Sequence, residues 1–261
     1  MRIATWNVNS VKARLDIIIN WLKSDACDVL LLQETKSQDE NFPRDAFSSL
    51  GWHVTIHGQK SYNGVAIASR HPIKDVMCGL PGDDSDEQAR YIEASIESVR
   101  VASIYLPNGN PAPGPKFDYK LQWMDRLNKR AAALLATEEP IVLGGDFNVI
   151  PDDLDCYDPL GWEGDALTRP ETRQAFRMLT HTGYCDALRA RHPHVHIRNL
   201  LTSHIGREAF VSALAEFLDA DTEEIEAILK SMTLSSENLD THTSGSATAW
   251  APIVQASAGT M

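Results

Sequence analysis

Four side chains with oxygen or amide chemistry stand where apolar runs end. Arg2-Ile3-Ala4-Thr5-Trp6 leads into Asn7, and Asp28-Val29-Leu30-Leu31-Leu32 leads into Gln33 and Glu34. Pro140-Ile141-Val142-Leu143 leads through Gly144-Gly145 into Asp146, with Asn148 two residues on. Side chains alternate along a strand, so Asp146 and Asn148 are expected on one side, at the carboxyl end where α/β sheets build sites. A cluster of Asn7, Glu34, Asp146 and Asn148 is rich in oxygen donors and suits Mg²⁺ and phosphate chemistry. Hydrolysis of a phosphodiester needs a cation on the phosphate, a base or positioning group for water, and donors for the transition-state charge. Tyr105, closing another apolar strand before Pro107-Asn108-Gly109-Asn110, has a phenol able to donate to a phosphate oxygen. Taken singly, each residue also fits a plainer role. Glu34 fits a solvated strand-terminal acid, Asn7 a helix cap, Asp146 and Asn148 the polar exit of a Gly-Gly turn, and Tyr105 a half-buried strand tyrosine.

The elements that must position these residues follow from periodicity. Val11, Leu15, Ile18, Ile19 and Leu22 recur at helical spacing behind a cap at Asn9 or Ser10, and the strand 28–34 follows, a strand-helix-strand opening. Between 52 and 106 come short β-like runs at 52–57, 65–69, 92–96 and 99–106, separated by Gly, Pro and Asp turns. Consecutive strands without helices imply antiparallel pairing. A helix over 116–136, the strand 140–146, an acidic loop and a helix over 171–181 complete the pattern, which fits stacked sheets with helices outside. Past His196 two helices are expected, one on Ala209, Phe210, Ala213, Leu214 and Phe217, the other on Ile225, Ile228, Leu229 and Met232 behind an Asp221–Glu224 capping box. A loose Ser/Thr/Ala-rich end follows.

Composition narrows the classes. The 261 residues, 43% hydrophobic, suffice for one sizeable core or two small ones, with one main domain expected, and the composition suggests neither overall disorder nor collagen nor a coiled coil. With 36 acids against 24 bases, the net charge of −12 argues against a protein that coats nucleic acid non-specifically, yet allows a local basic groove. Cys27, Cys78, Cys156 and Cys185 form no Cys-x-x-Cys pair, so neither a zinc site nor a disulfide framework is expected, and a cytoplasmic location fits. No apolar run approaches the ~20 residues of a membrane span, and the amino terminus does not read as a signal peptide.

Six ordered motifs then identify a resemblance: Trp6-Asn7-Val8-Asn9, Leu32-Gln33-Glu34-Thr35-Lys36, Tyr62-Asn63-Gly64-Val65-Ala66-Ile67, Arg90-Tyr91-Ile92-Glu93-Ala94, Tyr105-Leu106-Pro107-Asn108-Gly109 and Gly144-Gly145-Asp146-Phe147-Asn148. From Met1 to about His196 the sequence resembles the exonuclease III (exodeoxyribonuclease III, abasic-site endonuclease) branch of the endonuclease/exonuclease/phosphatase superfamily. The resemblance implies an α/β fold, a four-layer sandwich of two packed mixed sheets flanked by helices. It implies Mg²⁺-dependent DNA phosphodiester hydrolysis, with Mn²⁺ as a substitute, both 5′ to abasic sites and from 3′ ends in base excision repair. The partner would be double-stranded DNA, with no membrane and no obligate protein partner. Carried over by motif, Glu34 binds the metal with help from Asn7, and Asp146 positions or deprotonates water. Asn148 holds the phosphate and Tyr105 supports the scissile group, while Arg90 and, more weakly, Lys120 contact DNA.

The resemblance stops near His196. The family ends in an aromatic Trp-Asp-Tyr-like strand, an Ile-Asp-containing strand and a Ser-Asp-His-x-Pro motif, none of which occurs in 197–261; Leu239-Asp240-Thr241-His242 is the nearest sequence. His192, His194 and His196 read as exposed histidines where the resemblance fades. The expected organisation is a nuclease domain over 1–196 and an atypical helical tail over 197–261. Three of the 24 bases and nine of the 36 acids fall in that tail, so it is markedly acidic. Impaired turnover is therefore expected, and two other functions remain open: a DNA-binding protein defective in catalysis, and a phosphatase of the same superfamily.

Overall fold

The computed structural model describes residues 1–156 and 158–195. The helices expected after His196 and the Asp240–His242 segment lie outside the described residues.

Among the described residues, eight strands form two four-stranded sheets. The first sheet contains β1 (Ile3–Asn7), β2 (Val29–Gln33), β3 (His53–His57) and β4 (Val65–Ser69), in the order β1-β2-β4-β3. The second contains β5 (Ile73–Cys78), β6 (Tyr91–Ile96), β7 (Val99–Tyr105) and β8 (Ile141–Asp146), side by side in chain order. Parallel pairing occurs where a helix intervenes. β1 and β2 flank α1 (Leu15–Lys23), the short α2 (Arg44–Ser48) precedes β3, and β7 and β8 flank α3 (Pro115–Leu135). The remaining pairs are antiparallel, as expected where no long helix separates the strands.

Burial follows the two-sided environment of each sheet. Leu30, Leu32, Ala66 and Ala68 face Ile18 and Leu22 of α1, whereas Val29, Leu31, Val65 and Ile67 face Ile92, Ala94, Val101 and Val142 of the other sheet. The far side of the second sheet, with Ala102, Ile104, Ile141 and Leu143, packs on Trp123, Leu127 and Ala131 of α3 and on Phe176 of α4 (Pro170–His181). The result is the expected four layers, helix, sheet, sheet, helix. Since β2 and β4 are buried on both faces, their apolar runs are continuous rather than alternating.

Two local departures from expectation have physical causes. β5 was not foreseen, because its edge position leaves Lys74, Asp75 and Val76 exposed and blurs the hydrophobic pattern. α1 begins at Leu15 rather than behind Asn9 or Ser10. These two residues have positive φ (42° and 97°), which turns the chain before the helix starts. Gly145 is required by the close approach of β7 to β8, since a Cβ there would lie 2.0 Å from the Ile104 carbonyl oxygen.

One buried charge cluster fixes α3 on its sheet. Glu93 of β6 is fully buried and accepts from Arg100 Nε (3.2 Å), Arg130 Nε (3.1 Å) and the Tyr91 hydroxyl. Breaking such a set by removing one partner typically costs about 3–5 kcal/mol, because the remaining charge is left buried. The helix it anchors carries Lys120 toward the site. Among the described residues, no helix is long and apolar enough to cross a membrane.

Candidate phosphodiester-hydrolysing site

The carboxyl ends of β1, β2, β7 and β8 converge, and their terminal side chains meet. Asn7 at the end of β1 donates its amide hydrogens to Glu34 Oε1 and to Asp146 Oδ2, both at 2.8 Å. One amide thereby links carboxylates from two different sheets. The Asn7 carbonyl oxygen is turned the other way and accepts from the Asn9 backbone N–H at 3.1 Å.

Glu34 lies one residue beyond β2 with φ +51°, a left-handed conformation rarely adopted by a residue with a long side chain. Such a residue costs of order 1–3 kcal/mol and persists only when its surroundings hold it. Here they do: Thr35 N bonds Gly64 O (3.1 Å), Lys36 N bonds Asn63 O (2.9 Å), and Glu34 O accepts from Ser10 N (2.7 Å). This explains the Asn63-Gly64 motif, because a Cβ at Gly64 would meet Thr35 Oγ1 at 2.2 Å. The Glu34 carboxylate also accepts from Tyr105 and pairs with Lys36, whose ammonium lies 3.1 Å from Oε2. Burial pushes the Glu34 carboxyl up, but the bonds from Asn7, Tyr105 and Lys36 outweigh it and hold it below the usual range.

Asp146 is only 7% exposed. Desolvation raises its pKa against the opposing bonds from Asn7 and the Asn148 N–H, the latter at 3.0 Å to Oδ1. Two neighbouring carboxyls are thus pushed in opposite directions, Glu34 by the bonds it accepts and Asp146 by desolvation. Phe147 points away, 1% exposed, with its ring 6.0 Å from Phe176 in an edge-to-face contact that anchors the strand end to α4. Asn148 has left the strand, with φ +46°. Its proximity to Asp146 comes from the bond between its N–H and that carboxylate rather than from simple alternation. Its side chain donates to Leu106 O (2.8 Å) and accepts from Asn108 Nδ2 (3.3 Å), so two amides from separate loops form a pair.

Tyr105 faces Asp146 in register across β7 and β8. Burial, then the charge and hydrogen bond of Glu34, push its pKa far up, so the phenol remains a donor. Arg90 is half-buried with its guanidinium 4.8 Å over the Tyr105 ring, and it donates to Tyr105 O (3.3 Å) and Gln88 Oε1 (2.7 Å). Its structural contacts are therefore with Tyr105 and Gln88.

Lys120, expected as a DNA contact, is placed elsewhere. It is fully buried, and its ammonium donates to the backbone carbonyls of Asn108 (3.0 Å) and Asn148. A side chain with no exposed surface does not reach a DNA backbone, which corrects that expectation. Desolvation lowers its pKa to about 7 against the opposing charges of Asp165 and Asp146. The missed signal was spacing: Phe117, Lys120, Met124, Leu127, Ala131 and Leu134 form one buried helical stripe, with lysine at a core position. Lys36 and Asn108 also touch these groups, and the Asn63 carbonyl holds the turn at Glu34; all three lie within the ordered motifs. The amide of Gln33, next in the chain to Glu34, joins the two sheets by donating to Ser103 Oγ at 3.0 Å. His192 and His194 are exposed, and His196 lies outside the described residues.

Among the described residues, no three His, Cys, Asp or Glu side chains gather as a metal-binding group. The site instead offers two carboxylates and the amides around them, a set of oxygen donors that fits a hard divalent cation and not a thiolate- or imidazole-seeking one.

Residues 4–194 match the model of the Endonuclease/Exonuclease/phosphatase family. Exodeoxyribonuclease III of Haemophilus influenzae is 32% identical over 206 residues, covering 74% of this chain and 76% of that protein. An AP endonuclease from Archaeoglobus fulgidus has a TM-score of 0.72 at 37% identity, over 75% of this chain and 76% of that one. The 3′-5′ exonuclease NExo from Neisseria meningitidis has a TM-score of 0.73 at 42% identity, with the same two shares.

Proposed function

The chain belongs to the endonuclease/exonuclease/phosphatase family, and on that footing we propose that it is a DNA repair nuclease of the exonuclease III and abasic-site endonuclease type, acting in the cytoplasm. The observation that carries this reading is the Asn7 amide holding Glu34 and Asp146 together from two sheets. We assign the activity to residues 1–196, with 197–261 as a separate segment.

Glu34 would hold the divalent cation, which we take to be Mg²⁺ with Mn²⁺ as a substitute, and Asn7 would orient the carboxylate. When bound, the cation would neutralise charge on the phosphate and act as a Lewis acid. The protein's own groups supply the rest. Asp146 is buried, raised in pKa and held at both oxygens by Asn7 and Asn148, so its direction is set before substrate arrives. It would position the attacking water and accept its proton. The Asn148 and Asn108 amides would hold the phosphate, and Tyr105 would support the scissile group, with Arg90 stacked on its ring. The substrate would be double-stranded DNA carrying abasic sites or 3′ ends.

In residues 197–261 the Ser-Asp-His-x-Pro motif of the resembled branch is absent. A missing imidazole typically costs ~10²- to 10⁴-fold in rate. We therefore expect slow, metal-dependent cleavage of duplex DNA containing an abasic site, abolished by EDTA. Absence of any metal-dependent cleavage, with salt-sensitive DNA binding retained, would instead favour a DNA-binding protein without turnover. Turnover matching a relative that has the motif would refute the impairment.

A further inference from the structure

We propose that Lys120 is a positioning residue: by bridging the carbonyls of Asn108 and Asn148, it sets the spacing of the two amides that face the phosphate, without touching DNA. The inference rests on the reading of Asn148 as a phosphate-holding group.

Three independent features converge on this role. The lysine occupies a core position of α3 and has no exposed surface, a place where an ammonium is retained only if polar partners satisfy it. Its partners are backbone carbonyls, one in each of the two loops that supply the paired amides. The backbone is shaped around the stem. Gly109 has φ +91°, and a Cβ there would lie 2.6 Å from Lys120 Cδ and 3.2 Å from Ala166 Cβ. The 107–110 loop is held on its other side by Asn110, which donates to Asp165 Oδ2 (2.9 Å) and accepts from Ala166 N (3.1 Å). Withdrawing the ammonium would leave both carbonyls without this donor and would uncouple the Asn108–Asn148 pair. A displacement of ~1 Å at a reacting centre can cost about 10²-fold in rate.

The test compares the full chain with Lys120→Met, Lys120→Gln, Asn148→Ala and the double variant Asn148→Ala/Lys120→Met. The probe is a nicked duplex bearing a 5′-phosphorylated tetrahydrofuran residue, titrated in EDTA across a range of salt. Lys120→Met should weaken binding about tenfold, the change that ~1.4 kcal/mol would produce, with an unchanged salt slope. On the Asn148→Ala background it should cost nothing further, as expected for residues acting as one unit. Lys120→Gln, which keeps an amide donor, should recover part of the loss, and it carries the comparison if the Met variant loses protection throughout the sheets. A salt slope smaller by about 0.9 would show a direct phosphate contact and overturn the proposal. An undiminished loss on the Asn148→Ala background would overturn it equally. Hydrogen exchange makes the outcome independent of function. Even if the wild-type chain binds no DNA, which refutes the functional reading alone, Lys120→Met should accelerate exchange at 106–110 and 147–150. Unchanged exchange there would overturn the bridging role.

Discussion

Replacing Asn7 with alanine removes the one group that reconciles two facing carboxylates. The amide makes two charge-assisted bonds, each typically worth about 1.5–3 kcal/mol. Glu34 retains Lys36 and Tyr105, and Asp146 retains the Asn148 N–H, so the lower end of each range applies. The expected loss is about 3 kcal/mol near neutral pH without divalent cations, a large part of a typical stability of about 5–15 kcal/mol. Its pH dependence follows from the two shifts. The folded pKa of Asp146 is raised by burial, so its native form binds a proton more tightly than the unfolded chain, and stability falls as pH rises through that folded pKa. Losing Asn7 raises it further and enlarges the penalty at neutral pH. Glu34, lowered in the native protein, contributes stability above its unfolded pKa that is lost as pH falls through the folded value. In the variant, Asp146 protonates at a higher pH and its new O–H can donate to Glu34 in place of the amide. Urea denaturation in EDTA at about pH 7.5 and about pH 5 should therefore show a smaller difference from wild type at the lower pH. An equal difference at both, or one below about 1 kcal/mol at pH 7.5, would refute the bridging argument.

Gly145→Ala should cost about 3 kcal/mol or more, because its Cβ would meet backbone atoms of Ile104 rather than a movable side chain. A thermal transition within about 2 °C of wild type would show that the β7–β8 approach is looser than described. Mg²⁺ at ten times its dissociation constant should stabilise the native chain by roughly 1.4 kcal/mol. Glu34→Gln should abolish that gain, whereas an equal gain in the variant would remove Glu34 from the cation site.

How much of the site was legible depended on how local each determinant was. The ends of β1, β2 and β8 lay within one residue of their expected positions, because apolar runs bounded by polar residues are local signals. Arg90 shows the limit. Its motif was recognised, but its stacking on Tyr105 depends on β6 lying beside β7. The 52–106 region shows the same limit at larger scale. Its antiparallel character followed from the absence of long helices, yet periodicity held nothing to say that β3 and β4 join one sheet and β5, β6 and β7 the other.

By itself, the sequence determined that Asn7, Glu34, Asp146 and Asn148 end apolar runs, and that 197–261 departs from the resembled pattern. Tertiary structure alone decided that Asn7 and Asp146, 139 residues apart, share a hydrogen bond, and that their neighbouring carboxyls shift in opposite directions. It also moved Lys120 from the surface to the underside of the loops. The reason is physical: strand alternation and helical spacing act over a few residues, whereas desolvation, charge pairing and the satisfaction of buried carbonyls depend on which distant segments the packed layers bring together.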